Sequence, residues 1–150
     1  MGYAPLELND KTAVVIGGTS GIGRALAHGL AEAGANVVAT SRTIDKVETV
    51  AREIEDRGSR TLRLVSDVSD RSSLERVLHK SIDAFEKVDI LVNSAGRTKR
   101  APTVNYSEED WNQILDTNLT GTLRACQVFG RTCWSAGTGE SSTSLRSPPS

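Results

Sequence analysis

The residues with the clearest chemical potential lie in Val14-Val15-Ile16-Gly17-Gly18-Thr19-Ser20-Gly21-Ile22-Gly23, where an apolar run breaks into glycines and resumes with helical spacing. Glycine reaches the backbone angles of a tight turn, and without a Cβ it lets a pyrophosphate approach the main chain. The first turn of a following helix presents N–H groups without intrahelical partners and a partial positive charge, which stabilise an anion. Gly17, Gly21 and Gly23 would then shape a phosphate cradle, with Thr19, Ser20 and Ile22 contributing backbone N–H groups and hydroxyls. A glycine-rich turn that binds nothing has the same local sequence, so residues further along the chain must decide.

The elements that would position this turn alternate regularly. Residues 12–16 are dense in β-branched side chains and read as a strand, followed by a helix with Ile22, Ala25, Leu26, Gly29, Leu30 and Ala33 at helical spacing and Gly34 at its C-terminal cap. Residues 36–41 predict a second strand, and Val47, Val50, Ala51 and Ile54 a helix ending near Gly58. A third strand is predicted at 61–66, then a helix capped by Ser69 or Asp70 and carrying Leu74, Val77, Leu78, Ile82 and Phe85. Residues 88–93 predict a fourth strand, apolar enough at Ile90-Leu91-Val92 to be buried on both faces. Ser107-Glu108-Glu109-Asp110 opens a further helix with a hydroxyl cap and an acidic first turn, and Trp111, Ile114, Leu115, Leu119, Thr122, Leu123 and Cys126 form its apolar stripe. This alternation predicts an α/β fold, a Rossmann-type doubly wound parallel sheet with right-handed crossovers, ending after four strands and the fifth helix.

Composition narrows the partners. The 150 residues suit one domain, and a net charge of −1 with mixed signs gives no footprint for nucleic acid. No run is apolar for long enough to span a bilayer, and no secretory pattern opens the chain, so a cytoplasmic location is expected. Cys126 and Cys133, with His28 and His79, lack metal-ligand spacing. Reduced, non-catalytic thiols and no metal are expected.

Gly17-x-x-x-Gly21-Ile22-Gly23, Asp67-Val68, Asn93-Ser94-Ala95-Gly96 and Asn118-Leu119, each at its place along the alternation, together resemble the motifs of the short-chain dehydrogenases/reductases over residues 8–131. The resemblance implies that Asp67 accepts from the adenine amino group, with the Val68 backbone beside it, the alternative being that Asp67 is a helix-capping acid. It implies that Asn93, Ala95 and Gly96 pass behind the cofactor. It also implies that Asn118 steadies a kink and an ordered water in a proton relay, where the residue alone reads as a satisfied helix amide. Two residues depart from the family pattern. Ile16 stands where threonine is usual, which removes a hydroxyl contact with the turn after the fourth strand, and Ser94 replaces a second asparagine.

Cofactor choice is read from the second strand. NAD-selective sites commonly carry an acid about 20 residues beyond the glycines to hold the ribose 2′-hydroxyl. Here Ala39-Thr40-Ser41-Arg42-Thr43 has none, and Arg42 with Ser41 could bind a 2′-phosphate by charge-assisted hydrogen bonds. NADP is favoured over NAD, the alternative being that Arg42 is an ordinary solvated charge.

The family's hydride transfer to a carbonyl, or from a secondary alcohol, uses a Tyr-x-x-x-Lys pair and a serine. No such pair occurs here: Glu7 stands four residues after Tyr3, and Asp110 four after Tyr106. Of the relay residues only Asn118 is present. Residues 132–150 are mostly Ser, Thr, Gly and Pro and read as a disordered tail outside the dinucleotide-binding domain of residues 1–131. With suitable codons, residues 140–150 reread from the third codon base give an apolar and small-residue pattern similar to the family's fifth strand and serine segment. Thr132-Cys133-Trp134 rereads as Met-Leu-Glu. A reading-frame change near Arg131 or Thr132 is therefore expected. The chain would bind cofactor at best, with a bare parallel edge at the fourth strand, marginal stability and no partners for family-type pairing of subunits. A non-catalytic nucleotide-binding or partner-binding module is the alternative.

Overall fold

Thr12–Ile16 (β1) combines β-branched side chains with no charge, and every residue in it is buried. A strand covered on both faces and both edges needs parallel neighbours on each side, and β1 has them in the computed structural model, which describes residues 6–135 and 140–141. Asn36–Thr40 (β2) pairs with it from Thr12↔Asn36 to Ile16↔Thr40, and Ile90–Asn93 (β3) from Ala13↔Ile90 to Ile16↔Asn93. The strand order is β2-β1-β3-β4, where β4 is the two-residue strand Glu140–Ser141.

The period of two along β1 divides the core between the faces of the sheet. Val14 and Ile16 join Leu74, Val77 and Phe129 on one side, and Ala13 and Val15 join Ala27, Ala31 and Ile54 on the other. Helices Gly21–Glu32 (α1) and Ile44–Glu55 (α2) cover the second face. Arg71–Phe85 (α3) and the later Gly121–Ser135 (α5) cover the first. Asp70, one of the two residues predicted as a cap, takes that role at α3, its side chain accepting the Ser72 N–H at 3.0 Å.

The predicted strand at 61–66 is corrected. This segment makes a single bridge to the sheet, Ser41 opposite Val65, with hydrogen bonds from Val37 N–H to Arg60 O and from Ser66 N–H to Ser41 O, both at 3.0 Å. At the sheet edge it has one neighbour, and side chains hold it there in place of a ladder. Arg63 pairs with Glu48 and Glu55, and the buried Thr40 and Ser66 hydroxyls meet at 2.7 Å.

The last predicted helix is also subdivided, into Glu108–Leu115 (α4), a π-helical turn over Asp116–Thr120, and α5. Its inward face is not the predicted stripe. Gly121, Ala125, Val128 and Phe129 are buried, whereas Trp111, Leu119 and Leu123 are 56%, 67% and 55% exposed. Only one side of this helical run meets α3 and the sheet, so these apolar residues on the other side stay more than half exposed.

Beyond Arg131 the helix continues to Ser135, and β4 pairs with Ile90 and Leu91. The bare edge expected at the fourth strand is thus partnered over two residues. The rest of the predicted tail, 136–139 and 142–150, lies outside the described residues, as does Tyr3.

Candidate functional site

Where β1 ends, the chain is pinned to β2 before it can reach α1. The N–H groups of Gly17 and Gly18 both donate to Thr40 O, at 2.9 and 3.0 Å. Gly17 has φ +78°, and a Cβ there would lie 2.5 Å from Ala95 N, so the turn after β1 touches the turn after β3 backbone to backbone. A Cβ on Gly23 would lie 2.2 Å from Gly17 O. At these two glycines the missing side chain therefore makes room for protein. Gly21 is different: it has φ +53° and open space around its Cβ position. The hydroxyl contact that Ile16 cannot make is bypassed by the main chain, since Ser94 N–H donates to Ile16 O at 2.8 Å.

These contacts hold open a cleft of about 310 Å³ at the carboxyl ends of β1, β2 and β3. Gly17, Thr19 and Ser20 reach it from the first turn; Ser41 and Arg42 follow β2. Asp67 and Val68 lie between the edge segment and α3, and Ala95 and Gly96 follow β3. Residues distant in sequence are thus brought to one wall-to-wall site. Ser20, at the N-terminus of α1, makes no side-chain capping bond, which leaves its hydroxyl and the first N–H groups of the helix to a ligand.

Other predicted site residues stand behind or beside this cleft. Gly21 and Gly23 shape the first turn of α1, and Ile22 there is 77% exposed. Asn93 directs its Nδ2 to Cys126 Sγ at 3.4 Å, tying β3 to α5. Asn118 lies inside the π-helical turn and bonds the main chain of Arg97. Sequence reasoning did not assign Thr43, Lys46, Ser66, Ser94, Arg97 or Thr117 to the site, yet all line it. Only Ser94 sits inside a recognised motif. The others come from the β2–α2 connection, the first turn of α2, the edge segment, the loop after β3 and the π-helical turn, whose convergence has no sequence signature.

The electrostatics centre on Asp67. Its Oδ1 accepts both the Ser69 hydroxyl at 2.6 Å and the Ser69 N–H at 2.9 Å, and its own N–H donates to Ser73 Oγ at 2.9 Å. The Ser69 hydroxyl bond, with the Ser69 N–H and the nearby Arg42 charge, holds the Asp67 carboxyl below its ordinary range against the opposing effect of burial. Asp67 is therefore an ionised acceptor fixed in a local turn, and Asp70, not Asp67, caps α3. An open groove of about 660 Å³ adjoins the cleft, sharing Arg42, Asp67, Arg97 and Thr117 and running towards Glu108, Asn112 and Asp116 on α4 and the π-helical turn.

A parallel sheet whose order reverses beside a glycine turn, with a cleft outside the carboxyl ends of its strands, defines a doubly wound, Rossmann-type α/β fold. Comparison with known proteins narrows the class. The family profile described as short chain dehydrogenase matches residues 11–140, and the chain belongs to that family. It is 37% identical over 134 residues to a D-threitol dehydrogenase from Mycolicibacterium smegmatis, covering 89% of this chain and 51% of that protein. It is 31% identical over 123 residues to the 3-oxoacyl-[acyl-carrier-protein] reductase of Thermotoga maritima, covering 82% and 50%. The crystal structure of a dehydrogenase/reductase from Sinorhizobium meliloti 1021 superposes with a TM-score of 0.81 at 33% identity, covering 85% of this chain and 51% of that one. The chain spans about half the length of the curated relatives it matches. Among the described residues, no helix is long and apolar enough to cross a membrane.

Proposed function

We propose that this chain is the cofactor-binding part of an NAD(P)-dependent oxidoreductase acting on a small carbonyl compound or secondary alcohol, with NADP preferred. The observation that carries the reading is the convergence of the Gly17–Ser20 turn, Arg42 and Asp67 on one cleft. The turn and the N-terminus of α1 would hold the pyrophosphate. The ionised Asp67 would accept from the adenine amino group, and Arg42 with Ser41 would hold the 2′-phosphate. Small residues at Ala95 and Gly96 leave room for the cofactor, and Asn118 positions their turn through Arg97. When bound, a reduced nicotinamide would supply the hydride to a carbonyl, and an oxidised one would accept it from a secondary alcohol. The substrate class rests on the named activities of the two enzymes above, a dehydrogenase of an alditol and a reductase of a 3-oxoacyl group.

The 150 residues contain no Tyr-x-x-x-Lys pair, so this chain is assigned binding without turnover. The same absence supports the second reading, a non-catalytic nucleotide-binding module. A domain boundary near Arg131 and a change of reading frame there belong to the first reading. The coding DNA tests them: read in the other frame after Thr132, it should run on to a Tyr-x-x-x-Lys, and activity of the frame-restored protein separates the two readings.

Titration of the chain with NADP and NAD tests the binding function. NADP is expected to bind more tightly, and Arg42→Ala to weaken NADP by about tenfold while leaving NAD unchanged. Tighter binding of NAD by the unmodified chain would reject the preference, and no binding of either would reject the function.

A further inference from the structure

The peptide between Val68 and Ser69 is held at both ends. Its N–H donates to Asp67 Oδ1 at 2.9 Å, and its carbonyl accepts from Arg124 Nη1 on α5 at 3.1 Å. Because the peptide is planar, fixing the carbonyl also fixes the direction of the N–H that orients the Asp67 carboxylate. A cation on the carbonyl polarises the same unit and strengthens its N–H as a donor. The guanidinium reaches further, donating through Nη2 to Asp116 Oδ1 at 2.9 Å. Its donors form a rigid fork, so one group holds two acceptors at a set separation. Asp116 begins the π-helical turn, and the next residue, Thr117, lines the cleft with Asp67 and Val68. A second contact from α5 falls on the same place: a Cβ on Gly121 would lie 2.7 Å from Val68 Cγ2, so the helix is close enough for Arg124, three positions on, to reach the main chain. The other bonds of Asp67 run within its own turn or to Ser73 on α3. Arg124 adds the tie to α5 while standing outside the cleft lining.

We propose that Arg124 is a positioning residue for recognition of the adenine ring: through the Val68–Ser69 peptide it aims the Asp67 carboxylate, and through Asp116 it sets that carboxylate relative to Thr117. The inference rests on the cofactor-binding reading above and adds to it a residue that never touches the ligand and acts only through the Asp67–Ser69 turn and the π-helical turn.

The test is titration of the full chain and of Arg124→Met, Arg124→Lys and Asp116→Ala with two probes, NAD and nicotinamide hypoxanthine dinucleotide. The second probe carries an oxo group where adenine has its amino group, so the ratio of the two affinities reads the Asp67 contact. The unmodified chain should prefer NAD by about tenfold. Arg124→Met should weaken NAD by about tenfold and bring the ratio to within about twofold. Asp116→Ala keeps the Val68 bond and should retain most of the ratio. Arg124→Lys keeps the charge without the fork and should give an intermediate ratio; it carries the comparison by itself if Arg124→Met does not fold. Weaker binding of both probes with the ratio unchanged in the Arg124 variants would make the residue merely structural and overturn the proposal. So would unchanged affinity for NAD. An unmodified chain that binds the two probes alike would overturn the role of Asp67 and the inference with it, whereas one that binds neither would overturn the cofactor-binding reading itself.

Discussion

Asn118 and Arg97 exchange two hydrogen bonds: Arg97 N–H donates to Asn118 Oδ1 at 2.7 Å, and Asn118 Nδ2 donates to Arg97 O at 2.9 Å. A side-chain amide thus satisfies both main-chain groups of one loop residue, as a neighbouring strand would. The bond pair fastens the turn after β3, which lines the cleft, to the π-helical turn between α4 and α5. Replacing Asn118 by alanine should cost about 1 kcal/mol, since both bonds lie near solvent. More diagnostically, hydrogen exchange at the Arg97 amide should accelerate while exchange in β1 does not. Unchanged protection at Arg97 would show that the clasp does not hold the loop.

The two kinds of glycine in the first turn should respond differently to alanine. Gly17→Ala meets the Ala95 backbone at 2.5 Å in addition to its positive φ, whereas Gly21→Ala meets only the conformational penalty. The penalty at Gly21 should be about 1–2 kcal/mol and that at Gly17 clearly larger. Urea unfolding of both variants measures the order, and equal losses would contradict the backbone contact.

Asp67 and Arg42 line the same cleft but serve different parts of the proposed ligand. Asp67→Asn keeps an oxygen for Ser69 and removes the charge, so binding of NAD and NADP should weaken together, by several-fold to about tenfold. A loss confined to NADP would move Asp67 away from the adenine.

Acid should destabilise the fold through defined carboxylates. Arg24 and His28 hydrogen bonds lower the pKa of Glu53, whose ordinary value is 4.5. Ser69 lowers that of Asp67, Ser72 that of Asp70, and Lys99 with Ser107 that of Asp110, each from 3.8. A folded-state pKa below the unfolded one means that the unfolded chain binds protons first as pH falls. The stabilisation is complete above the ordinary carboxylate values and is lost as pH drops through the lowered ones. Melting temperature should therefore hold near neutrality and fall below about pH 4. Replacing Glu53 by Gln should flatten part of that fall, and an unaltered pH profile would assign it to other groups.

Much of this site could be read from residues alone because its local signals are strong. The apolar run of β1 breaking into Gly17 to Gly23, the Ser107 cap and the paired small residues Ala95 and Gly96 each state a local backbone requirement in the sequence that carries it. The edge segment 61–66 could not be judged that way, since alternating Leu62 and Leu64 suit a strand whether or not a second neighbour exists to complete a ladder. The outward stripe of Trp111, Leu119 and Leu123 misled for the same reason: periodicity marks an apolar face, and the position of α3 decides which face is buried.

By itself, then, the sequence determined the alternation of strands and helices, the glycine turn, and the chemical types available for holding a dinucleotide, because these follow from backbone freedom, hydrophobic period and charge. Tertiary structure alone decided that Gly17 and Gly23 make room for neighbouring backbone, that Asn118 clasps Arg97, and that Lys46 reaches the cleft beside Arg42. Those relationships join residues tens of positions apart or on separate elements, and they exist only once parallel pairing has brought the ends of β1, β2 and β3 together.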